Sequence, residues 1–254
     1  NGEFSGKGVE RKGRKIIYRG EFKSGLYHGQ GTFNDPESGV KYRGQFAVGR
    51  RHGQGKQTWL ASGNVYDGRW KHDKRHGPGS MHYENGDVYQ GNWKAGQRQG
   101  QGMMAYANGA IYDGRYKEGQ PHGQGKYLTQ SGLAYDGQWK NGKPHGHGRY
   151  VWPSGDAHEG KFKVGLKHGH GRYVWSDGTV YDGSWKEDKK HGHGRYVWPN
   201  GAVYEGKFKV DLKHGHGIFR WKNGSSFQGL YRADERIEGT ILHEGRSLIG
   251  LIQT

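Results

Sequence analysis

The sequence contains no cysteine. That excludes a disulfide framework, a thiolate metal site and a cysteine nucleophile, and it agrees with a reducing compartment. Hydrophobic residues are scarce as well, at 30%, and the mean hydropathy is −1.12. With 50 glycines, these averages resemble a disordered segment. No apolar run approaches the roughly 20 residues needed to span a bilayer; the best stretch runs only from Leu248 to Ile252. No secretory signal opens the sequence, which starts at Asn1, and an intracellular protein is expected. Aromatic residues, by contrast, are plentiful: 9 Trp, 17 Tyr and 8 Phe make up 13% of the chain. That supplies a core, provided the rings are placed regularly.

They are. Tyr-x-Gly-x-aromatic recurs at Tyr18, Tyr42, Tyr66, Tyr89, Tyr112, Tyr135, His158, Tyr181, Tyr204 and Phe227, with steps of 24 residues twice and 23 thereafter. Ten residues after each anchor stands His-Gly-x-Gly, as at His52 and His145; the fourth copy has Gln99 and the tenth reads Ile237-Glu238-Gly239. Gly6 and Gly8 precede Gly29 and Gly31 by one period, so a partial repeat opens the frame. Such self-similarity marks a repeat architecture. It predicts one domain divided into a partial repeat (1–17), nine repeats (18–226) and a degenerate tenth repeat with a C-terminal cap (227–254), whose apolar residues Leu248, Ile249, Leu251 and Ile252 should hide the last strand.

Each unit encodes two strands. Alternation in Tyr135-Asp136-Gly137-Gln138-Trp139 has the period of two of a strand. Asn141-Gly142 within a unit and Asn200-Gly201 between units supply the positive-φ residues of tight turns. The glycines leave bare backbone across which a ring can lie flat. A lone hairpin is marginal, so each must stack on the next. The expected fold is all-β: an elongated single-layer array of about ten antiparallel hairpins, advancing about 10 Å per unit.

The pattern Tyr-x-Gly-x-Trp-x-x-Gly-x-x-His-Gly-x-Gly, complete from Tyr135 to Gly148, resembles the MORN (membrane occupation and recognition nexus) repeat. The resemblance implies a freestanding array similar to radial spoke head proteins or cytoskeletal MORN scaffolds. It implies a cytoplasmic location on the cytoskeleton, in a cilium or flagellum, or at a membrane. Asp73, Asp188 and Asp211 depart from the pattern at the mid-loop glycine and His158 at an anchor; these departures should weaken individual repeats.

Catalysis finds no foothold. The glycine pairs open strands and lack the strand–loop–helix context of a phosphate loop. His145/His147, His168/His170, His191/His193 and His214/His216 could each chelate an ion. A zinc site, however, needs three or four ligands, and equivalent positions lie about 10 Å apart. The first histidine of each pair is therefore read as a hydrogen-bonded turn residue and the second as solvent-facing. No enzyme activity, metal or cofactor is expected.

Charge is the remaining signal, at +16. One basic column comprises Lys71, Lys94, Lys117, Lys140, Lys163, Lys186 and Lys209, and a second Arg51, Arg75, Arg98, Lys167, Lys190 and Lys213. Stacking should turn both into stripes along one edge, attracting acidic proteins or anionic phospholipids; nucleic acid is disfavoured because no reader motif is present. In the later units Tyr150, Trp152, Tyr173, Trp175, Tyr196, Trp198 and Trp221 fall on the glycine-bearing face. They should line a protein-binding groove for an amphipathic helix or extended peptide. The expected function is a non-catalytic scaffold or adaptor, able to form a homodimer, that binds ciliary or cytoskeletal proteins. Its rivals are a phosphoinositide-binding peripheral membrane module and an accessory arm of a larger enzyme.

Overall fold

The computed structural model describes residues 3–243 and 246–248. The chain divides into two compact units, Asn1–Gln130 and Ser131–Thr254. Among the described residues there is no helix, and therefore none long and apolar enough to cross a membrane. In each unit every strand pairs antiparallel with the strands before and after it in sequence, giving the expected single-layer array of hairpins.

A repeat of the second unit shows the construction. The short strand Ala134–Lys140 and the long strand Lys143–Val151 meet through the pair Lys140↔Lys143. Only Asn141 and Gly142 lie between, at φ 50° and 75°. Two positive-φ residues in succession define the tight turn whose twist matches a hairpin. Further along, Gly137 faces Gly148 but Trp139 faces Pro144, so the register skips at a bulge that holds His145 and Gly146. Gly146 adopts φ 68° there, a conformation that glycine takes without penalty.

The bulge explains the anchor tyrosine. The Tyr135 ring lies across the Gly137–Gly148 pair, and its hydroxyl donates to the carbonyl of Gln138, the residue the register skips, at 2.8 Å. Tyr42, Tyr66, Tyr89, Tyr112, Tyr181 and Tyr204 make the same bond three residues ahead, at 2.9 to 3.0 Å. A buried carbonyl needs a donor, and only a phenol both covers two glycines and reaches it. A Cβ on Gly183 would stand 2.5 Å from the Cα of Gly194, and one on Gly194 2.5 Å from Cε2 of Tyr181. These glycines are spacers for the ring.

In the second unit the last described pairing sets Arg246–Leu248 against the strand Glu235–His243. The other cap residues, Ile249, Leu251 and Ile252, lie outside the described residues.

Candidate protein-binding face

Two ladders of rings cover the glycine-bearing face. The inner ladder joins anchors to the fifth residue of the motif. In the second unit it runs Tyr135–Phe162–His158–Trp185–Tyr181–Phe208–Tyr204–Tyr231–Phe227, edge to face, with centroids 5.0 to 5.5 Å apart. Its rings are buried, and Tyr181, Tyr204 and Phe227 are wholly inaccessible. The Trp185 indole donates to the carbonyl of Gly171 at 2.9 Å. This ladder is the core.

The outer ladder belongs to the long strands and contains all seven residues expected to line a groove. Tyr150, Trp152, Tyr173, Trp175, Tyr196 and Trp198 follow one another at 4.5 to 5.5 Å, and Phe219 carries the series to Trp221. Tyr173 is buried and its hydroxyl bonds Asp156 at 3.2 Å. The four tryptophans are half-buried. Unlike Trp185, none of their indole nitrogens has an acceptor among the described residues. Each therefore offers a ring face and a free donor.

The two basic columns part company. Lys71, Lys94 and Lys117 in the first unit, and Lys140, Lys163, Lys186 and Lys209 in the second, are exposed; they alternate with the rings and so stand on the opposite face. The second column folds onto the aromatic face. Lys167 Nζ lies 4.5 Å from the Tyr173 ring centre and 4.4 Å from that of Trp185; Lys190 lies 4.7 Å from Tyr196, and Lys213 reaches Trp198, Tyr204, Phe219 and Tyr231. Burial lowers the pKa of Lys167 and Lys190, while the rings favour the ammonium through cation–π attraction. Neither ammonium has a carboxylate or carbonyl partner among the described residues. In the first unit the corresponding guanidiniums are engaged: Arg75 and Arg98 bond the carbonyls of Gly96 and Gly119 at 2.9 and 2.7 Å, and Arg51 bonds Asp73. The two columns, expected along one edge, thus lie on opposite faces. The co-occurrence of Lys167, Lys190 and Lys213 with a tryptophan eight residues on was the signal available for the ring contacts.

The aspartates expected to weaken repeats instead join them. In each case Oδ1 accepts the backbone N–H of the preceding repeat, Arg51 to Asp73, Lys167 to Asp188 and Lys190 to Asp211, and Asp234 of the tenth repeat takes the Lys213 N–H in the same way, at 2.8 to 3.0 Å. His158 takes the anchor position without the anchor's hydrogen bond. It is fully buried, neither ring nitrogen has a hydrogen bond, and burial depresses its pKa to about 3. Among the described residues no cluster of three metal-ligating side chains exists. His170 bonds the Gly183 carbonyl and approaches Asp182 at 3.4 Å.

Hairpins of this geometry, repeated along the chain, define a MORN-type repeat protein. The MORN repeat family matches nine segments: 18–39, 42–59, 66–88, 89–111, 112–133, 135–157, 158–180, 181–203 and 204–226. The chain belongs to that family. No curated protein matches it. Among solved structures it is similar to the TCP10 domain of Danio rerio CPAP bound to a peptide of Danio rerio STIL. That match has 13% identity and a TM-score of 0.46, over 86% of this chain and 94% of that one. A second is the G-box domain of the microcephaly protein CPAP, at 12% identity and a TM-score of 0.41, over 75% and 92%. Likeness at this distance says nothing of this chain's partners.

Proposed function

We propose that this protein is a non-catalytic scaffold or adaptor that binds other proteins through the outer ring ladder of residues 131–254, in a cytoskeletal or ciliary assembly. The observation that carries the proposal is the ladder from Tyr150 to Trp221: half-buried tryptophans with unpaired indole donors, beside ammonium groups without acceptors. Tryptophan and tyrosine dominate the energetics of protein interfaces, and a contiguous apolar surface that stays partly open to solvent marks an interaction site. The exposed lysines of the opposite face, Lys163, Lys186 and Lys209, then serve solubility and long-range steering.

A photo-crosslinking amino acid at Trp198, compared with one at Lys186, tests the proposal in cells. Crosslinks to the same defined proteins from position 198 and none from 186 are expected. The reverse pattern, or crosslinks to phosphoinositides from position 186, would instead establish a peripheral membrane module.

A further inference from the structure

The partner's chemistry can be narrowed, on the premise that the outer ladder is a docking face. Three properties constrain an occupant. The first is period: equivalent rings of Trp152, Trp175, Trp198 and Trp221 recur every two strands, or about 9.6 Å. The second is polarity. The four indole N–H groups and the Lys167 and Lys190 ammoniums are donors without acceptors among the described residues, so the face asks for acceptors. The third is charge: Lys167, Lys190 and Lys213 recur with the same 23-residue period, in a chain of net charge +16. Asp188, Asp211 and Asp234 stand beside them, each accepting a backbone N–H through Oδ1. Asp234 also pairs with the Lys213 ammonium at 3.5 Å, which leaves Lys167 and Lys190 as the ammoniums without a carboxylate in contact among the described residues.

Regular peptide conformations meet these constraints unequally. An α-helix repeats a face every seven residues, about 10.5 Å, and drifts by nearly 3 Å over three repeats. It also ties up its own carbonyls. An extended strand repeats a face about every 6.7 Å, so it falls out of step with the rings within a single repeat. A polyproline II helix turns once in three residues and rises about 9.3 Å per turn. It stays within about 1 Å of register across the same span. Its carbonyls are free, proline carries no N–H, and pyrrolidine rings stack on aromatic faces.

We infer that the outer ladder of residues 131–254 binds a proline-rich polyproline II segment of about ten residues, running across the strands. It has one turn per repeat and an acidic residue at every third position. The prolines lie on Trp152, Trp175, Trp198 and Trp221. The indoles donate to the segment's carbonyls, and the carboxylates meet Lys167 and Lys190.

Titration of the full chain, followed by peptide fluorescence anisotropy, tests this. The probe is a peptide of about four Pro-Pro-Glu triplets, and the control has the same composition with its glutamates grouped. The periodic peptide is expected to bind at least about tenfold more tightly than the grouped one. Trp175→Phe and Trp198→Phe, which keep a ring and lose the donor, should each weaken it several-fold, as should Lys190→Met. Equal affinity for both peptides, no binding of either, or full affinity in the phenylalanine variants overturns the inference. Crosslinks from Trp198 that persist when both peptides fail would leave the protein-binding reading standing and remove only the polyproline one.

Discussion

At the residue scale the anchor position is the most demanding, because its side chain must cover two glycines and bond a carbonyl that the bulge leaves over. His158 fills the space and makes no bond. Its folded-state pKa of about 3 lies below the ordinary 6.5, so between these values the unfolded chain binds the extra proton. The sign follows: protonation favours unfolding, and stability is lost as pH falls below about 6.5, by up to about 1.4 kcal/mol per unit. His158→Tyr should therefore raise the urea midpoint at pH 7 and raise it further at pH 5. A difference that does not grow on acidification would contradict this assignment. The glycines are equally strict. Gly194→Ala drives a Cβ into the Tyr181 ring and should cost about 3 kcal/mol, as overpacking does, read as a loss of thermal stability. The periodic glycines and anchors are plain in the sequence, as is the departure at His158. The reason for tyrosine is not, because it depends on a bulge that pattern reading does not register.

At the scale of the element, the hairpin turn governs. Its first residue has positive φ in every repeat, including Val164 and Val210, at 53° and 51°. A β-branched side chain is strained there, and both valines are exposed. Asn141 occupies the equivalent place at 50°. Val164→Asn and Val210→Asn should each stabilise the chain by about 1 kcal/mol, visible as higher melting temperatures with no loss of binding. The second turn residue behaves contrary to the repeat pattern. Asp211→Gly restores the family's glycine yet removes the bond to the Lys190 N–H, so it should lower stability by about 1 kcal/mol. An unchanged or higher denaturation midpoint would show the bond to be idle. Strand, turn and period were legible in the sequence because each is local. The aspartate bonds were not, since they join residues 21 or 22 positions apart across a repeat boundary. Nor was the separation of the basic columns, which follows from pairs such as Phe162↔Lys167 and Lys163↔Leu166 that place neighbours in the chain on opposite faces.

At the scale of the whole molecule, the same repeat yields two kinds of aromatic surface. In residues 131–254 the inner ladder is sealed and the outer one stays half-open, because the long strand carries a ring two residues beyond the one that packs over the core. In residues 1–130 the outer positions are weaker: Gln57 and Met81 stand where the later repeats have Tyr173 and Tyr196, and the arginines there are bonded to neighbouring turns. The aromatic residues of the candidate site were readable in advance. Their division into core and open face was not, because it depends on which rings the neighbouring repeats cover. The open ladder is proposed to serve binding rather than folding. The decisive measurement is paired on one variant, Trp175→Ala/Trp198→Ala: urea unfolding, and site-specific crosslinking from position 221. A cooperative transition shifted by only a few kcal/mol is expected, together with loss of the protein crosslinks. A variant that no longer folds, or one that folds and retains every crosslink, would contradict it.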